Sequence, residues 1–203
     1  MKIIALTGGI GCGKSTVSRI FHDLCHWKII DADRICHKLY EQKNSKLIDA
    51  LTPRWGRGIL NEDGCFLRSE IARIVFENRS ELDFLNRVLH PLIFDEVKKQ
   101  CIQAEKESVP AVVLDAPLLY ECSWNSAADK VIAVWAPFKL QYERLLERGW
   151  NEKHIFARLQ TQMSADEKMS RADYALINSG SLRFLEEQTL NLVQHLETSF
   201  LLE

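Results

Sequence analysis

A glycine-rich segment near the start of the chain limits its possible folds more than any other stretch. The apolar run 3–6 leads into Gly8-Gly9-Ile10-Gly11-Cys12-Gly13-Lys14-Ser15-Thr16, which matches Gly-x-x-x-x-Gly-Lys-Ser. An amphipathic stretch follows, so a strand, a phosphate-binding loop and a helix come in the order that this motif requires. A plain tight turn could also use four glycines, but it would not need Lys-Ser-Thr after them. The sequence therefore predicts a P-loop.

Each part of the P-loop has its own role toward bound phosphates. Glycines adopt positive φ and turn backbone N–H groups toward the anion, and the next helix aims its N-terminus at the same point. Lys14 reaches the β- and γ-phosphates, and Ser15 is a candidate ligand of Mg²⁺. The predicted ATP-binding residues of the loop are Gly8, Gly9, Gly11, Cys12, Gly13, Lys14, Ser15 and Thr16.

Strand and helix patterns alternate along most of the chain, as in a parallel sheet with crossover helices. The predicted strands are Lys2–Leu6, Trp27–Ile30, Ala111–Leu114, Lys130–Trp135 and Tyr174–Ile177. The predicted helices cover residues 13–24, 34–42, 69–76, 80–89, 91–106, 138–148, 152–163 and 181–200. We therefore expect an α/β three-layer fold with a five-stranded parallel sheet.

The alternation breaks between residues 44 and 108, where glycine and aspartate turns precede three helical patterns. We interpret 44–108 as a helical substrate-binding insertion in one domain spanning 1–203. The core of that domain is predicted to comprise 1–43, 109–136 and 172–203. The charged helices of 137–171 are interpreted as a lid, since Arg144 and Arg148 are one turn apart and could close onto a phosphate. A merely solvated helix face is the alternative.

Aspartates follow two of the predicted strands, where open α/β sheets bind their ligands. In Asp31-Ala32-Asp33, a carboxylate could accept the proton of a hydroxyl acceptor, which a nucleoside monophosphate would not need. The alternative is that either aspartate only caps the following helix, a role that needs one side chain. Asp115 has the Walker-B form and is a candidate ligand of Mg²⁺. Its alternative is a simple turn aspartate.

The composition argues against several classes of protein. The net charge is −2, so the chain lacks the basic footprint of a nucleic-acid or anionic-membrane binder. No stretch approaches ~18 apolar residues, and the first apolar run is too short for a signal peptide. The six cysteines include no Cys-x-x-Cys pair, as expected of reduced thiols in the cytoplasm.

The P-loop and a series of shorter motifs resemble the dephospho-CoA kinase family over essentially the whole chain. The shorter matches are Asp31-Ala32-Asp33, Asp63-Gly64 with Arg68, Val75-Phe76, Leu85-Asn86, His90-Pro91-Leu92-Ile93, Pro117-Leu118-Leu119-Tyr120-Glu121, Gln141 with Arg144 and Arg148, Gln162, and Ala172-Asp173 with Asn178 and Gly180. Many families share the P-loop, whereas this ordered set is specific.

The resemblance implies a P-loop nucleotide-kinase-like fold that transfers the γ-phosphate of ATP, with Mg²⁺, to the ribose 3′-hydroxyl of dephospho-CoA. This is the last step of coenzyme A synthesis. It implies Asp33 as the catalytic base, with Lys14, Arg144 and Arg148 as catalytic cations. Further ATP contacts are implied at Asn178 and Gly180. The implied substrate-binding residues are Asp33, Arg68, His90, Leu118 and Glu121.

Some alternatives stay open beside this resemblance. Another P-loop kinase, acting on a nucleoside or a nucleoside monophosphate, would share the loop and the lid. A GTPase-like switch is disfavoured because the chain has no Asn-Lys-x-Asp and no Asp-x-x-Gly after the third predicted strand. His90 could instead be a core or capping histidine. We expect no nucleic-acid or membrane partner, and a monomer or weak homo-oligomer.

Cys12 departs from the small serine or alanine expected in this loop. Loop N–H groups, Lys14 and a helix N-terminus would surround its thiol, and such surroundings lower the pKa of a cysteine. On that basis Cys12 is predicted to be the most reactive of the six cysteines and to be protected by Mg-ATP. The alternative is a buried, unreactive thiol packed beneath the loop.

Overall fold

A computed structural model describes residues 1–200 of the chain and contains one five-stranded parallel sheet. Its strands are β1 Lys2–Gly8, β2 Lys28–Asp31, β3 Ala111–Asp115, β4 Lys130–Trp135 and β5 Tyr174–Ile177, in the spatial order β2-β3-β1-β4-β5. Its helices are α1 Lys14–Cys25, α2 Ala32–Glu41, α3 Ser45–Trp55, α4 Arg68–Glu77, α5 Arg79–Lys106, α6 Phe138–Glu147, α7 Glu152–Thr161, α8 Ala165–Arg171 and α9 Leu182–Phe200.

The central position of β1 follows from its sequence. Ile4, Ala5 and Leu6 are fully buried, and every residue of β3 is buried, as in a parallel sheet covered on both faces. The register pairs Leu6 with Asp115 on one side and with Ile132 on the other. The P-loop therefore leaves the carboxyl edge of the sheet between the ends of β3 and β4, where ligands bind in this class of fold.

The described chain forms two compact units. The first comprises Met1–Ile30 and Gln103–Glu203 and contains nearly all of the sheet, with α1 and α6–α9. Its core includes a stacked pair of rings, Phe21 and Trp27, with centroids 5.2 Å apart. The second unit, Asp31–Ile102, is mainly helical. No helix within residues 1–200 combines the length and apolar character needed to cross a bilayer.

The predicted strands are confirmed, and β4 and β5 match residue for residue. The predicted break in the helix before Pro91 is wrong, because α5 is one helix of 28 residues that continues through the proline. Proline costs a helix one hydrogen bond and causes a steric clash. Here Leu85, Leu89, Ile93 and Val97 form a buried stripe on both sides of the proline, and this packing keeps the helix continuous.

Two helices were not predicted. The sequence of α3 contains Pro53 and is followed by two glycines. These residues are typical of turns, so the local sequence pattern does not predict a helix there. The helix nevertheless buries Leu47 and Leu51, and the Asn44 side chain caps its start. The seven-residue α8 is capped by Ser164 and buries a lysine, so its apolar periodicity is too weak to detect.

Candidate active site

The P-loop joins Gly8, the last residue of β1, to Lys14, the first residue of α1. Gly11 and Gly13 have φ values of +77° and +91°, which confirms the backbone conformation expected from the motif. Both also lack space for a side chain. A Cβ on Gly11 would lie 2.7 Å from the carbonyl oxygen of Gln141, and one on Gly13 would clash with Nδ2 of Asn178. The loop is thus fixed by conformation and by packing.

The Lys14 ammonium donates a hydrogen bond to Oδ1 of Asp115, the last residue of β3. Both side chains are largely buried, at 16% and 6% exposure. The neighbouring Ser15 is exposed on the first turn of α1. The structure therefore brings Asp115 to the P-loop, where it pairs with Lys14.

Asn178 and Arg144 hold the P-loop from the other side. The Asn178 side chain, which follows β5, donates from Nδ2 to the Cys12 carbonyl oxygen at 2.8 Å. The Arg144 guanidinium, on α6, donates to the carbonyl oxygens of Asn178 at 3.0 Å and Gly11 at 3.4 Å. Arg144 thus lies against the P-loop. Arg148, by contrast, is the C-cap residue of α6, and its side chain is exposed.

A cavity of about 280 Å³ opens beside the first part of the P-loop. Its lining includes Ile10, Phe138, Gln141, Gln162, Met163 and Ser164. The buried side chain of Gln141 donates to the Ala136 carbonyl oxygen at 2.7 Å, and a Cβ on Gly9 would lie 2.7 Å from Cβ of Ala165. Helices α6 and α8 therefore both pack directly on the loop. Motif reading gave no role to Gln141 and did not find α8.

Glu121, a predicted substrate-binding residue, makes contacts within the protein. Its Oε1 lies 3.0 Å from Nζ of Lys168 and accepts a hydrogen bond from the backbone N–H of Met163 at 2.9 Å. Leu118 is half-buried in the same turn after β3, and Gly180 is exposed in the loop after β5. No part of the motif reading pointed to Lys168, although its side chain has no exposed surface.

Cys12 is fully buried. Burial raises the pKa of its thiol above the usual value, and this outweighs the opposing effects of hydrogen bonds from the Ala136 and Gly9 backbones and of the nearby Arg144 and Lys168 charges. The prediction of a lowered pKa was therefore wrong, and the structure favours the alternative, a buried thiol packed beneath the loop. The loop N–H groups and cations do surround Cys12, but the thiol lies beneath the loop, where desolvation of a thiolate dominates.

We expect iodoacetamide at pH 8 to label Cys12 more slowly than Cys65, which is half-buried. The reason is that the thiolate is the reactive form, and burial disfavours it at Cys12. Peptide mapping over a time course measures both rates in one sample. Labelling of Cys12 at the rate of Cys65 or faster would contradict this, and protection by Mg-ATP would then restore the original hypothesis.

The remaining predicted residues lie in the second unit. Oδ1 of Asp31 accepts a hydrogen bond from the Arg34 N–H at 2.9 Å, so Asp31 caps α2, as its alternative held. Asp33 is in the first turn of α2 and is exposed. Because capping uses only Asp31, the Asp33 carboxylate is available for another role.

Arg68 and His90 belong to different helices of this unit. The Arg68 guanidinium contacts the ring of His37, with NH1 3.1 Å from Nδ1, and lies 5.9 Å from the centre of the Tyr40 ring. His90 is half-buried in α5, and burial lowers the pKa of its imidazole. The two ring contacts orient Arg68, and burial favours the neutral form of His90.

Known proteins match both the sequence and the fold. A sequence model of the dephospho-CoA kinase family matches residues 2–183. The dephospho-CoA kinase of Carboxydothermus hydrogenoformans is 39% identical over 198 residues, covering 96% of this chain and 94% of that protein.

Two solved structures resemble the chain over nearly its full length. TT1252 from Thermus thermophilus superposes with a TM-score of 0.80 at 30% identity, covering 96% of this chain and 97% of that one. The dephospho-CoA kinase from Campylobacter jejuni gives 0.72 at 28% identity, with 97% and 98% covered. The family match spans most of the chain and includes the P-loop whose geometry is described above. This chain belongs to the dephospho-CoA kinase family.

Proposed function

We propose that this chain transfers the γ-phosphate of ATP to the ribose 3′-hydroxyl of dephospho-CoA, giving coenzyme A and ADP. The observation that carries this proposal is the P-loop of a dephospho-CoA kinase family member, with Lys14 and Arg144 both held at it. None of the six cysteines, all within residues 1–200, forms a disulfide, which supports our placing the reaction in the cytoplasm. We expect a monomer or weak homo-oligomer.

On the ATP side, the chain supplies positive charge and N–H groups. The transferring phosphoryl group spreads negative charge over three oxygens, so fixed donors that are already in place lower its energy. We assign Lys14 to the β- and γ-phosphates and Arg144 to the transition state. Arg148 is a second candidate cation. We propose Asn178 and Gly180 for the adenosine side of ATP, with Asn178 also fixing the loop.

The oxygen donors at the P-loop suit Mg²⁺. The Ser15 hydroxyl is exposed on the first turn of α1. The Asp115 carboxylate accepts a hydrogen bond from Lys14, the residue before Ser15. Magnesium prefers oxygen ligands and keeps several waters, so one hydroxyl and one carboxylate suffice from the protein. When bound, the ion neutralises charge on the β- and γ-phosphates. We propose Ser15 and Asp115 as its protein ligands.

On the acceptor side, we propose Asp33 as the general base. The 3′-hydroxyl oxygen forms the new bond to γ-phosphorus, the bond from phosphorus to the ADP oxygen breaks, and the hydroxyl proton passes to the Asp33 carboxylate. An exposed carboxylate that is not used as a helix cap suits this role. We propose that the Asp31–Ile102 unit binds the acceptor, with Arg68 and His90 among its contacts.

Acceptor specificity tests this proposal. ADP release is measured with dephospho-CoA, AMP, adenosine and pantothenate at equal concentrations, and the CoA product is verified by mass spectrometry. Dephospho-CoA should give the highest kcat/KM. Faster turnover of AMP or adenosine would instead assign the chain to nucleotide or nucleoside phosphorylation.

Arg144→Ala should lower kcat by about 10², the usual effect of losing one preorganised charged donor. Steady-state kinetics with ATP and dephospho-CoA measure this, with Arg79→Ala as a control because Arg79 is an exposed arginine of α5. If Arg144→Ala had wild-type kcat and KM, its assignment as a lid cation would be wrong.

A further inference from the structure

Lys168 is the most unusual charged side chain in the first unit, because none of its surface is exposed. Lysine is almost never fully buried unless its ammonium is paired. Its position on the short helix α8 gives it access to two acceptors, the carbonyl oxygen of Pro117 and Oε1 of Glu121 at 3.0 Å. Both acceptors lie in the turn that follows β3.

These two acceptors connect Lys168 to two further segments. The Pro117 carbonyl oxygen also accepts a hydrogen bond from the Thr7 hydroxyl of β1 at 3.2 Å. Oε1 of Glu121 also accepts a hydrogen bond from the backbone N–H of Met163, which lies between α7 and α8. One buried ammonium therefore joins the end of β1, the turn after β3 and the α7–α8 connection.

The α7–α8 connection lies beside the start of the P-loop. Gln162, Met163 and Ser164 line the cavity next to Gly9, and Ala165 is so close to Gly9 that no Cβ would fit there. A shift of this connection would therefore move the wall that faces the first half of the P-loop. The Met163 and Lys168 contacts with Glu121 oppose such a shift, as does the hydrogen bond at 2.7 Å that Oδ1 of Asp166, on α8, accepts from Nε1 of Trp135.

We infer that Lys168 is a positioning residue for phosphoryl transfer: through Glu121 and Pro117 it fixes the α7–α8 connection against the P-loop. This inference rests on the proposed kinase function. It differs from a purely stabilising role for the ion pair. Replacing both partners of a buried pair is often neutral for stability, whereas removing one partner leaves an uncompensated charge.

The test separates stability from catalysis with Lys168→Met, Glu121→Gln and the double variant. Lys168→Met should lower Tm, because the partly buried Glu121 carboxylate loses its partner. It should lower kcat and kcat/KM for ATP by a similar factor, about 10–10², as expected when reacting groups are misplaced. Glu121→Gln keeps the ammonium and its bond to Pro117, so its kcat should fall less than that of Lys168→Met. In the double variant the Tm should recover while kcat stays as low as in Lys168→Met, because the charge is balanced but the ammonium is still missing.

An exposed pair on α6 provides the control. Lys139 and Glu143 are one turn apart with an N–O distance of 4.0 Å, and the Lys139 side chain is 86% exposed. Lys139→Met, Glu143→Gln and their double variant should keep wild-type Tm and kcat. Should Lys168→Met fail to fold, the double variant carries the test.

Two results would overturn the positioning role: wild-type kcat in Lys168→Met, or recovery of kcat together with Tm in the double variant. Failure of the proposed function has a different signature, since the wild type itself would not phosphorylate dephospho-CoA. The variants are then compared on whichever acceptor the wild type does phosphorylate.

Discussion

Asp33→Asn is expected to lower kcat by about 10²–10⁴ while leaving the Kd for ATP close to that of the wild type. The amide has nearly the same shape as the carboxylate, but it cannot accept the proton that the 3′-hydroxyl must release. Stopped-flow or steady-state turnover measures kcat, and calorimetric titration with ATP measures the Kd separately. A loss confined to kcat would mark Asp33 as acting in the chemical step.

Asp31 provides a matched control for this substitution, two residues away. Asn and Asp are nearly equal as N-caps, so Asp31→Asn should retain both the cap of α2 and turnover. Turnover of Asp33→Asn close to the wild-type value would remove Asp33 from the mechanism. An equal loss of turnover in both variants would mean that turnover depends on the structure of the α2 N-terminus and not on proton transfer to Asp33.

Lys14→Ala should lower kcat/KM for ATP by about 10³ or more, a larger effect than that of Arg144→Ala. Lys14 is assigned to the β- and γ-phosphates both before and during transfer, so ATP binding and turnover should both suffer. The substitution also leaves the largely buried Asp115 carboxylate without its lysine partner. A lower Tm at neutral pH should therefore accompany the kinetic loss.

The two effects of Lys14→Ala are separated by Lys14→Ala/Asp115→Asn. Neutralising Asp115 should restore part of the Tm, whereas kcat/KM should stay low because the phosphates still lack their cation and the proposed Mg²⁺ ligand Asp115 is also changed. Thermal unfolding and ADP release are measured on the same samples. ATP affinity and turnover within threefold of the wild type in Lys14→Ala would contradict the phosphate assignment.

The sheet and the P-loop could be predicted from the sequence because their signals are local. A Gly-rich motif requires positive φ at defined positions, and Gly11 and Gly13 have it. Buried strands such as β3 are short apolar runs bounded by turns, which one segment of sequence is enough to reveal. The cap of α2 is also a local feature. Because an N-cap needs only one side chain, the sequence already indicated that only one of Asp31 and Asp33 caps the helix, and the structure shows that it is Asp31.

The rest depended on tertiary packing that no local pattern records. Pro91 reads as a break, but buried residues on both sides of it keep α5 continuous. The surroundings of Cys12 were foreseen correctly, but the sequence left open whether the thiol is accessible or buried beneath the loop, and burial controls the direction of its pKa shift. Lys168 reads as an ordinary surface lysine on a weak helix, because only the folded chain brings Glu121 and Pro117 to it.

The burial of Cys12 bears on how an inhibitor of this enzyme could be designed. An ATP mimic that carries a thiol-directed electrophile would find the Cys12 sulfur covered by the loop, so we expect its covalent reaction there to be slow. Reversible contacts are therefore the better route to inhibition, and the cavity beside Gly9 is lined by the Phe138 ring and the Gln141 and Gln162 side chains. For screening, electrophile libraries would mainly report on cysteines outside the loop, whereas fragments that displace ATP would report on the P-loop.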